Sequence, residues 1–242
     1  YPSGSYVCEV EVDPRTGRQF EFSAVGGHVG GSMDGAGVGF VEAPKAWHCV
    51  EYKTFSGKTW ADLAAKGVQA SKPEHYAQVQ LYMRWSGMDR AMYLGVNKDT
   101  DDIYAERIRF DSTVADGLEH KAARIVESPT PLTGISTDPA WYQCKWCPAA
   151  NLCHRGEGVQ VNCRTCVHAT PELDGNARWS CARHKRDLSI AEQRAGCAEH
   201  RLIPDLIRWA KVVDANESEN WIEYQMPDGG KFRNGGELGW SS

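Results

Sequence analysis

Seven of the nine cysteines in this 242-residue chain fall between Cys144 and Cys197, and that concentration limits how the segment can fold. They form two sets, Cys144-x2-Cys147-x5-Cys153 and Cys163-x2-Cys166-x14-Cys181-x15-Cys197. An odd count containing repeated C-x2-C pairs argues for metal ligation over a disulfide framework. The second set brings four thiolates into tetrahedral reach and is expected to hold a structural Zn²⁺. A second iron-sulfur cluster stays open there, and His168, His184 or His200 is an alternative for one ligand. A loop-rich segment of about 40 residues has too little core to fold alone, and zinc-thiolate binding contributes on the order of 10 kcal/mol. The first set has three thiolates and needs a fourth ligand from elsewhere, with His154 as the local candidate.

The net charge of -5 argues against a nucleic-acid binder until its distribution is considered. Between Trp141 and Lys211 there are 11 Lys and Arg against 7 Asp and Glu, a local +4, leaving -9 for the remainder. A basic cysteine-rich segment joined to an acidic body can bring phosphates towards carboxylates. The expected division is a core over 1–140, a cysteine-rich metal-binding region over 141–204 and a C-terminal extension over 205–242, with PTPLTGISTDP near the first boundary. No apolar run approaches the roughly 20 residues that span a membrane. No signal-peptide pattern opens the chain. A soluble, cytoplasmic protein is expected, and an opening on Tyr1 in place of Met leaves room for natural residues missing from either end.

The first 130 residues read as a mixed α/β arrangement, an α+β mixed sheet with flanking helices. YVCEVEV and QFEFSAV alternate on either side of the turn DPRTGR and are expected to pair antiparallel. A glycine-rich strand or strand pair, GGHVGGSMDGAGVGFV, and the strand HCVEYKT complete a meander of three or four strands. TWADLAAKGV is a short helix, Pro73 opens a second and Gly87 closes it. RAMYLGVN and DIYAERIRF are strands, STVADGLEHKAARIVES is a helix, and NWIEYQMPDGGKF is a hairpin without a named partner.

Within HCVEYKT, Glu51 and Lys53 lie two positions apart and project from one face of the strand. Asp34, in the turn-prone GGSMDG, is carried back towards Glu51. Two carboxylates about 5 Å apart repel by roughly 3 kcal/mol at an effective dielectric near 20, and a divalent ion removes that cost. Asp34 and Glu51 therefore suit Mg²⁺ or Mn²⁺, with His28 as a third candidate ligand. Lys53 would sit beside an activated water, the pattern of a metal-dependent phosphodiesterase. Gln78 and Tyr82, one helical turn apart, can face the same groove and hold a phosphate or position water. Cys49 reads as a small buried residue.

GGSMDG, VEYKT and HYAQVQLY, in that order, resemble the RecB-like branch of the PD-(D/E)XK nucleases from about Glu9 to Cys153. Asp34, Glu51, Lys53, Gln78 and Tyr82 occupy the matching places; Met33 stands where the name has Pro. The branch usually has a helix before the first strand, often with a metal-binding His, and here it is absent or lies upstream of Tyr1. The C-x2-C-x5-C set is similar to the iron-sulfur motif of AddB-type and CRISPR-associated relatives. The resemblance implies a [4Fe–4S] cluster on Cys144, Cys147 and Cys153, closed by Cys8 or by a cysteine before Tyr1. It further implies a restriction-endonuclease-like core and a metal-dependent DNA exonuclease of recombination or repair, in a bacterium or phage-infected cell, with DNA and a recombination protein as partners. The competing readings are a catalytically inactive nucleic-acid-binding module and a redox or iron-sensing regulator.

Overall fold

The computed structural model describes residues 9–236. The chain separates into two compact units, the first ending at Ala123 and the second beginning at Arg124. No helix among the described residues is long and apolar enough to cross a membrane.

The first unit is a mixed α/β fold. Strands β1 (Glu9–Glu11), β4 (Gly35–Val38), β5 (His48–Phe55), β6 (Arg90–Asn97) and β7 (Ile103–Arg109) form one sheet in the order β1-β4-β5-β6-β7. β5 and β6 run parallel, while the other pairs are antiparallel. A parallel pair needs a long crossover, supplied here by helices α1 (Gly57–Ser71) and α2 (Pro73–Ser86). Strands β2 (Phe20–Ala24) and β3 (Val29–Met33) make a separate two-stranded sheet.

Local chemistry explains most of these boundaries. Pro73 occupies the first turn of α2, where its missing N–H costs nothing. Gly87 closes that helix with φ +73°. Val79, Tyr82 and Met83 supply the buried stripe of α2 at helical spacing. They pack in one core with Met33, Phe55 and Leu63. Gln80 is also fully buried, and its amide is satisfied by the end of β7. Its Nε2 donates to the Arg109 carbonyl at 2.9 Å, and its Oε1 accepts from the Asp111 N–H at 2.8 Å. Helix α3 (Ser112–Glu127) follows.

Among the described residues, the expected pairing of the two opening strands does not form. β1 pairs with β4 and β2 with β3, an Asp13–Arg18 bridge closes the DPRTGR turn, and the meander is replaced by a sheet with strand order β1-β4-β5. Asp13 turns its carboxylate onto the backbone and guanidinium of Arg15, just past the end of the strand at Glu11. The glycines of β4 then accept β1 as neighbour. A Cβ at Gly35 would fall 2.7 Å from Val10 Cγ1 and 3.1 Å from the Glu11 carbonyl, so a side chain there would have to displace Val10.

The second unit contains the short helix α4 (Ala150–Arg155), a three-stranded antiparallel sheet of β8 (Ala169–Pro171), β9 (Trp179–Cys181) and β10 (Arg186–Asp187), and the helix α5 (Ile190–Ala195). A second three-stranded sheet, β11 (Lys211–Asn216), β12 (Trp221–Gln225) and β13 (Lys231–Asn234), contains the expected hairpin as β12 and β13 and gives it β11 as partner. Leu202, Ile207 and Tyr224 form its core.

Candidate functional site

Asp34 is the residue at which the chain leaves β3 and enters β4, passing from the small sheet into the large one. Its carboxylate is held on both oxygens. Oδ2 accepts the backbone N–H of Tyr52 at 2.9 Å, and Oδ1 accepts Gln19 Nε2 at 2.6 Å. Tyr52 lies between Glu51 and Lys53, so Asp34 is fastened to the strand segment that carries both.

Glu51 and Lys53 share a face of β5 with Cys49 and Phe55, which belong to the core under the helices. Period-2 alternation thus places the acidic and basic side chains on the buried side. Glu51 is 1% exposed. Its Oε1 receives the Lys53 ammonium, while Oε2 is buried without a hydrogen-bond partner. Burial pushes the Glu51 carboxyl up, the bonded Lys53 ammonium opposes that, and the charge of Asp34 adds to it. Cys49 is buried as expected, and burial is the main reason its thiol is pushed up to about 11.

Three neighbours have little or no sequence signature. Gln19 lies 15 residues before Asp34, and nothing local marks it. Tyr93 pairs in register with Glu51 across the parallel strands, and its hydroxyl shares a 2.7 Å hydrogen bond with His75 Nδ1. Burial pushes the Tyr93 phenol strongly up, helped by the Glu51 charge. Burial and the Lys53 charge both hold His75 below its ordinary pKa. His75 was legible only as a member of an i, i+3, i+7 set with Gln78 and Tyr82 on α2.

Gln78 and Tyr82 do meet, with Gln78 Nε2 donating to the Tyr82 hydroxyl at 2.8 Å. Tyr82 is also core, packed between Phe22 and Trp85 at ring separations of 6.0 and 6.2 Å. No hydrogen bond joins this pair to Asp34 or Glu51 among the described residues. His28 precedes β3 and Asp34 follows it. Six residues of extended chain put about 20 Å between them, so β3 does not bring His28 beside Asp34.

Of the first cysteine set, Cys144 is buried and Cys147 and Cys153 are half-buried. Burial, then the neighbouring Cys147 and Cys153, push the Cys144 thiol up. His154 Nε2 is buried without a hydrogen-bond partner. Cys8, the expected fourth ligand, lies outside the described residues. Cys163, Cys166, Cys181 and Cys197 line one pocket of ≈ 200 Å³ together with His184 and His200. No group of three or more His, Cys, Asp or Glu side chains among the described residues is arranged to hold a metal ion.

No protein family matches the chain, and no curated protein does. Among solved structures the chain is similar to the crystal structure of SSO0001, at 16% identity and a TM-score of 0.34, over 60% of this chain and 59% of that one. It is similar to LHK-Exo in complex with dAMP at 18% identity and a TM-score of 0.29, over 45% of this chain and 55% of the other. The chain thus spans little more than half the length of either, and likeness at this level is not evidence of activity.

Proposed function

We propose that the first unit is a metal-dependent DNA nuclease with a PD-(D/E)XK-like core, acting as an exonuclease at DNA ends. The observation that carries this reading is the state of Glu51: a buried carboxylate with one oxygen on Lys53 and the other unpartnered, in the field of Asp34. A buried acceptor left bare costs about 1–3 kcal/mol. Such a group persists when a ligand uses it.

A hard divalent cation suits the Glu51 Oε2 and Asp34 pair. When bound, such an ion lowers the pKa of its water and neutralises charge on a phosphate oxygen. The protein's own contribution is positional. Tyr52 and Gln19 fix the Asp34 carboxylate, and the ion pair with Glu51 holds Lys53 at the same face of β5. There the ammonium stabilises negative charge as water becomes hydroxide and as the phosphate oxygens gain charge. Cys144, Cys147 and Cys153 are proposed to ligate an iron-sulfur cluster, with His154 as the ligand at hand within the second unit.

End-labelled linear DNA incubated with anaerobically purified protein tests the reading, with Mn²⁺, Mg²⁺ or EDTA and alongside Glu51→Ala. Label release that needs both the ion and Glu51 supports it. DNA binding with no cleavage under any ion replaces it with a non-cleaving nucleic-acid-binding module.

A further inference from the structure

We propose that Cys163, Cys166, Cys181 and Cys197 together hold one Zn²⁺ as a tetrathiolate, and that His184 hydrogen-bonds the Cys197 sulfur instead of ligating. This site stands whether or not the first unit cleaves DNA.

The fold presents the four sulfurs from three separate places. The first two cysteines bracket a tight 3-10 turn, Cys163–Thr165, in which the Cys166 N–H donates to the Cys163 carbonyl at 3.2 Å. Cys181 ends β9, directly opposite Ala169 in the β8–β9 ladder and so three residues beyond Cys166 on the paired chain. In the hairpin that follows, the His184 N–H reaches back to Cys181 Sγ at 3.5 Å. Cys197 arrives from α5. Gly196, just before it, has φ +67°, and a Cβ on it would lie 3.1 Å from the Val161 carbonyl and 3.4 Å from Asn162 Cα. This close approach presses the end of α5 against the chain that enters the first turn.

Hydrogen bonding separates the cysteines from the competing histidines. His168 Nε2 is engaged by Asn220 Oδ1 at 2.8 Å, and His200 Nε2 by Thr165 Oγ1 at 3.1 Å. His184 Nε2 faces Cys197 Sγ at 3.5 Å. The contacts of the sulfurs are longer, at 3.5 Å from Cys163 to the Glu192 carbonyl, from the His184 N–H to Cys181 and between Cys197 and His184 Nε2, so the sulfurs are the donors most easily turned into the pocket. They line it without yet closing on a common point, so side-chain rotation must accompany binding. The local core explains why an ion is needed. Its buried members are Cys163, Cys181 and Leu188, and two of these three are proposed ligands. So small a core calls for a staple, and soft thiolate donors select zinc over hard cations.

The test is the metal content of the whole chain purified without chelator, followed by Co²⁺ titration of the stripped protein. The expected result is about one zinc per chain, falling below about a tenth in Cys181→Ser and Cys197→Ser. Zinc is unchanged in His184→Ala and in Cys144→Ser, the control in the other cysteine set. In a Cys144→Ser background, which disables the other cysteine set, Co²⁺ should saturate at one equivalent with the intense sulfur-to-metal charge-transfer bands of a four-sulfur tetrahedral site, equally with and without His184→Ala. If the cysteine variants do not fold, that titration alone decides. Zinc retained in both cysteine variants, iron in place of zinc, or a Co²⁺ spectrum that changes ligand set in His184→Ala would overturn the assignment.

Discussion

The Asp34 carboxylate accepts the backbone N–H of Tyr52 at 2.9 Å. It is therefore docked between Glu51 and Lys53 and not held by its own strand alone. The side chain at the junction of the two sheets is thereby indexed to β5 by a main-chain donor that no substitution except proline removes. The separation of the two carboxylates is set by backbone geometry.

Glu51→Gln keeps the shape of the side chain and its contact with Lys53 but removes a buried negative charge beside Asp34. Thermal melts in EDTA should show it as stable as wild type, or more so by up to about 2 kcal/mol. DNA cleavage should be lost. A marked destabilisation without metal would mean that Glu51 is a structural ion-pair partner and not a strained ligand.

Lys53→Met should lower the cleavage rate by about 10²–10³-fold, the usual weight of one charge-stabilising group. Loss of Lys53 leaves the buried Glu51 carboxylate unpaired, a cost of about 3–5 kcal/mol, so the comparison is made on protein verified as folded by circular dichroism, for which fluorescence anisotropy should show DNA affinity nearly unchanged. Parallel loss of binding and cleavage contradicts its assigned role.

A Cβ added at Gly31 would lie 2.7 Å from Tyr82 Cε1. Gly31→Ala should displace the tyrosine ring, break its bond with Gln78 and destabilise the first unit by about 1–3 kcal/mol. In a Tyr82→Ala background the same change should cost much less, since the clash is gone. Equal costs in the two backgrounds, measured by denaturant titration, would deny the contact.

Tyr224 is fully buried against Phe232, at a ring separation of 5.1 Å, and its hydroxyl has no hydrogen-bond partner. Burial pushes its phenol from 10.0 up to about 12. A folded pKa above the unfolded one means that the stabilising contribution is complete below pH 10 and is lost as pH rises towards 12. Melts of the second unit should fall across that window in wild type and less steeply in Tyr224→Phe. At neutral pH the phenylalanine variant should gain about 1 kcal/mol by deleting the bare hydroxyl.

What the sequence reveals here is what local periodicity encodes. β5, α2, β6 and β7 follow from alternation, from Pro73 and Gly87, and from the KDTDD turn, and with them comes the shared face of Glu51 and Lys53. The partners of β1 and β2 were hidden, because neither the Asp13–Arg15 clasp nor the need for glycine at position 35 shows in an alternation pattern. Gln19, His75 and Tyr93 were hidden for a related reason: each joins the carboxylate cluster through strand register or a fold of the chain, both set only once distant segments pack. Among the cysteines, spacing identified the sets. Which histidines are already occupied depends on Thr165, Asn220 and Cys197, far from them in sequence.

The passage of the chain between two sheets at Asp34 has an engineering consequence. Tyr52 and Gln19 anchor the carboxylate, and the far end of the β2–β3 hairpin, at Val25–His28, lies across the whole length of β3 from it. Loop closure costs only about 0.6 kcal/mol for each doubling of length. That tip is therefore a natural acceptor for grafted segments, such as a reporter or a sequence-reading module, carried by the protein without disturbing the spacing of Asp34 and Glu51.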